Sequence, residues 1–305
     1  MEPNDIVRFH LLMFRLQKLL PNKEKQVLAN LRDWMQEHSS LCIAYSGGVD
    51  STLVAAIAYE CKGDSALAVT GVSPALAPHL LQEARYQAGW LGIRHQELIT
   101  SELEDPNYSN NPIDRCFACK KELHRHLKLI ATANSAMQVV DGVNLDDLND
   151  YRPGIKAAHQ AGSRSPLAEL RIDKMTVRRI SQALGFPWWD KPAQPCLSSR
   201  FPYGQVITAE RLYQVGRAEA WLTARGLTSV RVRSNGLEAR IEVPSQQIDV
   251  VLALSQTDGL VKFFRSIGFI SVSLDLEGLV SGKLNRHQQS TVRTGAALQP
   301  PSQQQ

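Results

Sequence analysis

Hydrophobic and polar positions change period several times along the chain. Residues 5–38 place apolar side chains at helical spacing, broken at Leu20-Pro21-Asn22, and this predicts two helices, the second over 23–38. A short apolar run, Leu41 to Tyr45, reads as a buried strand because glycines follow it at once. Leu53 to Ala58 then favour helix. Strands are predicted again over 65–72, 94–99 and 136–140, with helices over 73–92 and from 115 to 133 between them. Such alternation argues an α/β fold built on a doubly wound parallel sheet, in which ligands sit beyond the carboxyl ends of the strands.

Further helices are expected over 155–162 and 174–184. From Thr208 the pattern becomes that of a small α+β domain. A helix over 209–225 precedes strands over 229–233 and 238–243, then a single long helix over 245–267 and a last strand over 269–275. The alternation of Val230 and Val232 with Arg231 and Arg233 gives this sheet one buried face and sets the arginines, with Arg240, on its polar side. The predicted organisation is helices over 1–39, a nucleotide-binding domain over 40–204, a small α+β domain over 205–285 and a disordered tail over 286–305.

The junction of the first strand and helix, Ser46-Gly47-Gly48-Val49-Asp50-Ser51-Thr52, has the make-up of a phosphate cradle. Paired glycines admit an anion close to the backbone, and the first helical turn offers unpaired N–H groups. Ser46, Ser51 and Thr52 add hydroxyls, and Asp50 can hold a divalent cation such as Mg²⁺. There is no Gly-x-x-x-x-Gly-Lys and no Gly-x-Gly-x-x-Gly, so the loop is neither of the two commoner nucleotide loops. Thr70, closing the second strand, is placed to touch adenine or ribose, and Gly142, just past the fourth, allows a nucleotide to lie close. Asp146, Asp147, Asp150 and the Tyr151-Arg152-Pro153-Gly154 turn are expected to line the same cleft.

Composition narrows the picture little. An apolar fraction of 43% and a charged fraction of 21% are ordinary for a soluble domain. The net charge of +4 suits anionic small molecules at least as well as nucleic acid. No apolar run approaches the ~20 residues that span a bilayer, and the N-terminus lacks a signal-peptide pattern, so the cytoplasm is the expected compartment.

Of five cysteines, Cys42 and Cys61 read as small core residues. Cys116 and Cys119 form a C-x-x-C at a predicted helix start, and Cys196 sits in a proline-rich loop, 188–204, beside Lys191 and Arg200, cations that would favour its thiolate. Three thiolates leave one iron of a [4Fe–4S] cluster open. A zinc site would need a fourth ligand, which His124 or His126 could provide.

Beyond these readings, the chain resembles the LarE family of ATP-dependent sulfur transferases, within the N-type ATP pyrophosphatase (PP-loop) superfamily, over about residues 40–285. The likeness is carried by SGGVDS (46–51), NPIDRCFACKKEL (111–123), DGVNLDDLNDYRPG (141–154), SPLAEL (165–170), WWDKPAQPCLSSRFPYG (188–204), VRVR (230–233), ARIEV (239–243) and SGKLN (281–285). The resemblance implies an adenine nucleotide α-hydrolase-like fold. It also implies adenylylation of a pyridinium dicarboxylate mononucleotide by ATP with Mg²⁺, then displacement of AMP by sulfur to leave a thiocarboxylate, a step toward a nickel-pincer cofactor. It assigns ATP and pyrophosphate to Ser46, Gly47, Gly48, Asp50, Ser51, Thr70, Gly142 and Arg200, and the attack on the acyl adenylate to Cys196. Arg231 and Arg233 could hold the substrate phosphate. The family's sulfur comes either from a sacrificial cysteine or from a cluster held by three cysteines, here Cys116, Cys119 and Cys196. Family members form homo-oligomers. A tRNA-thiolating enzyme and an amide-forming synthetase of the same superfamily are the alternatives; no RNA-binding module is recognisable.

Overall fold

The computed structural model describes residues 20–149, 152–280 and 283. The helix predicted upstream of Leu20, the cleft positions Asp150 and Tyr151, the tail and most of the SGKLN stretch lie outside the described residues. These residues form two compact units. One takes the chain up to Ser198 together with Val206–Leu212; the other takes Ser199–Gln205 and everything from Tyr213 onward.

In the first unit four strands, β1 (Leu41–Ala44), β2 (Ala66–Val72), β3 (Arg94–Ile99) and β4 (Gln138–Val140), pair in the order β3-β2-β1-β4. Every pairing is parallel, with Cys42 opposite Leu67 on one side and Val139 on the other. The α/β parallel sheet expected from the sequence is therefore present, and the order reverses at β1. Its central strands, β1 throughout and β2 except for Thr70, are built of apolar residues and glycine because both faces are covered. Leu41 and Ile43 pack with α1 (Asn22–Gln36), α2 (Val49–Lys62) and α8 (Lys174–Ala183) through Leu31, Leu53, Ile57 and Ile180. Cys42, Leu67 and Val69 pack on the other side with Leu127 and Ala131 of α5 (Arg115–Ala133). Strand β3 is an edge and mostly polar, and its Glu97 pairs with Arg85 at 2.6 Å.

Between these elements lie α3 (Pro78–Leu91), α4 (Pro106–Ser109), α6 (Pro153–Gln160) and α7 (Pro166–Glu169). Helix α3 starts later than the predicted 73, because Pro78 takes its first turn, where a missing N–H costs nothing.

The second unit carries β5 (Arg231–Asn235), β6 (Glu238–Glu242) and β7 (Ser271–Leu274) in that order, the first pair antiparallel and the second parallel. Helix α9 (Ala209–Thr223) begins in the first unit and ends in the second. The single helix expected over 245–267 is instead two, α10 (Ile248–Thr257) and α11 (Leu260–Ser266). Gly259 lies between them at φ +70°, a left-handed conformation that ends the first and admits the second.

Candidate active site

The loop after β1 takes its shape from one glycine. Gly47 has φ +69°, and a Cβ there would lie 3.1 Å from the backbone of Ala84, so conformation and space both demand glycine. Gly48 caps α2 without a side-chain hydrogen bond, leaving first-turn N–H groups available. The two serines brace the turn. The Ser51 hydroxyl donates to Gly48 O at 3.1 Å, and Ser46 and Ser51 Oγ are 3.1 Å apart. Thr52 is not part of the cradle: it is fully buried, and its hydroxyl donates to Gln87 Oε1 at 3.0 Å. That corrects the expectation that it offers a hydroxyl to phosphate. At position 52 the helix has turned its face inward.

Asp50 is already engaged on both oxygens. Lys174 Nζ forms an ion pair with Oδ2, and Asn144 Nδ2 donates to Oδ1 at 3.2 Å. Asn144 is itself buried and accepts from the Asp146 N–H at 2.9 Å, while Asp147 pairs with Arg152 at 2.8 Å. Sequence reasoning missed both partners of Asp50. Asn144 lies past the fourth strand, where only Gly142 and the aspartates from Asp146 onward were given a role, and Lys174 is 124 residues away.

Gly142 serves a tighter purpose than leaving room for a nucleotide. A Cβ there would come within 2.6 Å of Ser51 N and 2.9 Å of Ser51 Cα, so its bare face abuts the loop's own backbone. Thr70 is buried; its hydroxyl donates to Tyr45 O at 2.8 Å and accepts from His95 Nε2 at 2.8 Å. Its side chain thus faces the protein, which leaves only its backbone for adenine or ribose.

A cavity of about 450 Å³ runs from Ser46, Asp50 and Ser51 to Cys116 and Lys120 on α5, with Arg152 on its wall. That volume suits a nucleotide-sized ligand. Beneath it His124 is buried with Nδ1 2.6 Å from Ser163 Oγ, and burial pushes its pKa down to about 3, so the ring is neutral. Burial also raises the Asp141 carboxyl, against the hydrogen bonds it accepts from Ser165 and Val143.

Cys116 and Cys119 lie one turn apart at the start of α5, on neighbouring positions of one face. Cys116 opens to the cavity but is deep enough among protein atoms that desolvation raises its thiol; burial pushes Cys119 up to about 12. Cys196 adds to the raising of both thiols. Among the described residues no three His, Cys, Asp or Glu side chains are arranged to hold a metal ion. The exposed Cys196 is flanked by anchors: Leu197 N donates to Ala75 O at 2.9 Å, and Ser198 Oγ lies 2.5 Å from Tyr108 OH. Of the cations expected to favour its thiolate, Lys191 pairs with Glu83 and Arg200 with Glu219.

In the second unit Arg200 is buried and bound by both Glu219 oxygens, at 2.7 and 2.9 Å. Arg233 is buried as well, against the expectation that it projects from a polar face. Its Nε donates to Glu242 at 3.0 Å and its Nη1 to Ser199 O at 2.6 Å. Arg231, on the same face of β5, is half-buried, with desolvation and the neighbouring Arg200 and Arg233 guanidiniums lowering its pKa. Three guanidiniums thus crowd around two buried carboxylates, an excess of positive charge suited to an anion. Arg200, Arg233, Arg240 and Lys283 line a second cavity of about 530 Å³.

Comparison with known proteins gives consistent relatives, though no family model matches the chain. The chain is 56% identical to an uncharacterised Synechocystis sp. protein, over 85% of this chain and 97% of that one. It is 38% identical to pyridinium-3,5-bisthiocarboxylic acid mononucleotide synthase of Lactiplantibacillus plantarum, over 87% of this chain and 95% of that one. It is also similar, at 26% identity over 56% of its length, to one component of the glutamine-hydrolysing GMP synthase of Archaeoglobus fulgidus, of which the match covers 58%.

Proposed function

Because this chain belongs to the LarE family, that of the pyridinium-3,5-bisthiocarboxylic acid mononucleotide synthase, we propose that it is an ATP-dependent sulfur transferase acting on a carboxylate of a pyridinium dicarboxylate mononucleotide. A carboxylate oxygen attacks the α-phosphorus of ATP, the bond to the β-phosphate oxygen breaks, and pyrophosphate leaves. Sulfur then attacks the acyl carbon, the carbon–oxygen bond to AMP breaks, and a thiocarboxylate remains. The observation that carries this reading is a single cavity that joins Ser46, Asp50 and Ser51 to Cys116.

The loop N–H groups, with Ser46 and Ser51, receive the pyrophosphate, whose developing charge is what such donors stabilise. Asp50 is the carboxylate that a Mg²⁺ ion would share with phosphate oxygens, in place of its present partner Lys174. Cys116, Cys119 and Cys196 are the thiols that would hold a [4Fe–4S] cluster, which would supply a labile sulfide; in number they match such a donor set, though they are not drawn together into a metal-holding arrangement in this structure. Arg231 and Arg233 are the groups for the substrate phosphate, Arg231 the better candidate because Glu242 already holds Arg233. Action in the cytoplasm, as a homo-oligomer, completes the reading.

Anaerobic reconstitution with iron and sulfide, then incubation with ATP, Mg²⁺ and the dicarboxylate mononucleotide, tests it. Release of pyrophosphate and AMP with a thiolated product supports it, as does loss of product in Cys196→Ser. Product formation by Cys196→Ser, or no pyrophosphate release by the intact protein, would sink it. Loss of one H₂S from Cys196 after turnover would replace the cluster by a sacrificial cysteine.

A further inference from the structure

Cys116, Lys120 and His124 stand four residues apart on α5, a spacing that sets them on one face of the helix, and all three line the cavity that begins at Ser46 and Ser51. The stripe runs from the exposed Cys116 to His124, which is 1% exposed, about 12 Å along the helix axis. His124 carries an unmet hydrogen bond. Its Nδ1 lies 2.6 Å from Ser163 Oγ, while its Nε2 is buried with no hydrogen-bond partner among the described residues. Such orphans are rare in folded proteins. Ser163 is buried, and among the described residues its hydroxyl has only Nδ1 to donate to. That bond leaves the ring hydrogen on Nε2, an unpaired donor at the edge of the cavity.

We propose that His124 is a nucleoside-contacting residue of this cavity, its Nε2–H donating to an acceptor atom of the base or ribose of the bound adenine nucleotide. The assignment rests on the reading of the cavity as the ATP site. The cradle takes the phosphates and Cys116 marks the sulfur end, so a group set well away from Cys116 along the helix meets the nucleoside of an acyl adenylate. The surroundings agree. Ala44, Ile155 and Ala158 line the cavity as well, with Asp141 adding a carboxyl. Small apolar side chains with a few fixed polar groups suit an uncharged nucleoside; a further phosphate would meet repulsion from Asp141. Burial keeps the imidazole neutral, so it offers direction without charge.

Two substitutions separate the ring's two nitrogens. Asparagine reproduces Nδ1 and keeps the bond to Ser163, whereas glutamine places an amide N–H close to the position of Nε2. In calorimetric titration, His124→Asn should bind AMP about tenfold more weakly than the intact protein, the range of one buried hydrogen bond. His124→Gln should recover most of that loss. Inorganic pyrophosphate with Mg²⁺, which lacks a nucleoside, should bind all three proteins alike. If His124→Asn binds AMP within about twofold of the intact protein, Nε2 touches no nucleoside and the proposal fails. If His124→Asn loses pyrophosphate together with AMP, the histidine only supports the fold and the proposal fails equally. An intact protein that binds pyrophosphate but neither AMP nor ATP would overturn the ATP reading of the cavity itself.

Discussion

Tyr108 and Ser198 join their buried hydroxyls across 2.5 Å, and through that bond α4 holds the chain two residues beyond Cys196. Tyr108→Phe leaves the Ser198 hydroxyl buried with one partner fewer, at a cost of about 1–3 kcal/mol. The expected outcome is a lower melting temperature with faster iodoacetamide labelling of Cys196, read by peptide mass. Unchanged labelling would mean that the cysteine loop is held by other contacts.

Gly142→Ala should damage the cradle from behind. The added methyl would sit 2.6 Å from Ser51 N, so the Asp50–Ser51 backbone must shift. Overpacking of this kind costs about 1–3 kcal/mol. Weaker ATP binding than in the unaltered protein is expected, with the sheet intact by circular dichroism.

Glu219 compensates Arg200 and also accepts from Val232 N at 2.8 Å. Glu219→Ala should therefore destabilise the second unit by about 3–5 kcal/mol, because a buried guanidinium loses its counter-charge. Arg200→Met added to Glu219→Ala should recover part of the loss in a urea titration. No recovery would show that the Val232 bond, rather than the charge, dominates.

His124 makes stability pH-dependent. Its folded pKa, near 3, lies below the ordinary 6.5, so between these values the unfolded chain binds a proton that the folded one refuses. Stability from this group is full above about pH 6.5 and is lost as pH falls toward 3, at up to about 1.4 kcal/mol per pH unit. Asp141, raised by burial, works oppositely: its contribution is present at low pH and lost as pH rises through its folded pKa. The difference between the intact protein and His124→Asn, followed by denaturant melts across that range, isolates the histidine. A parallel pair of curves would refute the assignment.

The first unit was legible because its signals are local. An apolar run, two glycines and a helix-forming stretch follow one another within 41–58, and the central strands could be apolar on both faces only in a covered parallel sheet. What escaped was non-local. Alternation sets Arg233 opposite Val232, but cannot reveal that Glu242 and Ser199 O wait on the other face to bury it. Nor does helical spacing show that Lys174 reaches back to Asp50, or that Thr52 turns to Gln87. The break at Gly259 was readable in principle, since Asp258-Gly259 interrupts an otherwise helical stretch.

The first unit is not finished when the chain reaches Ser198. The chain enters the second unit at Ser199–Gln205 and returns with Val206–Leu212, whose Ile207 is buried and donates its N–H to Ser109 O at 2.7 Å. On a ribosome, where domains tend to fold as they emerge, Ser109 O therefore waits for a strap still to be synthesised. That strap is tethered through Ser199–Gln205 to a unit whose sheet has yet to leave the exit tunnel. A nascent chain stopped after Ser198 should stay sensitive to protease near α4, and one extended past Leu212 should not.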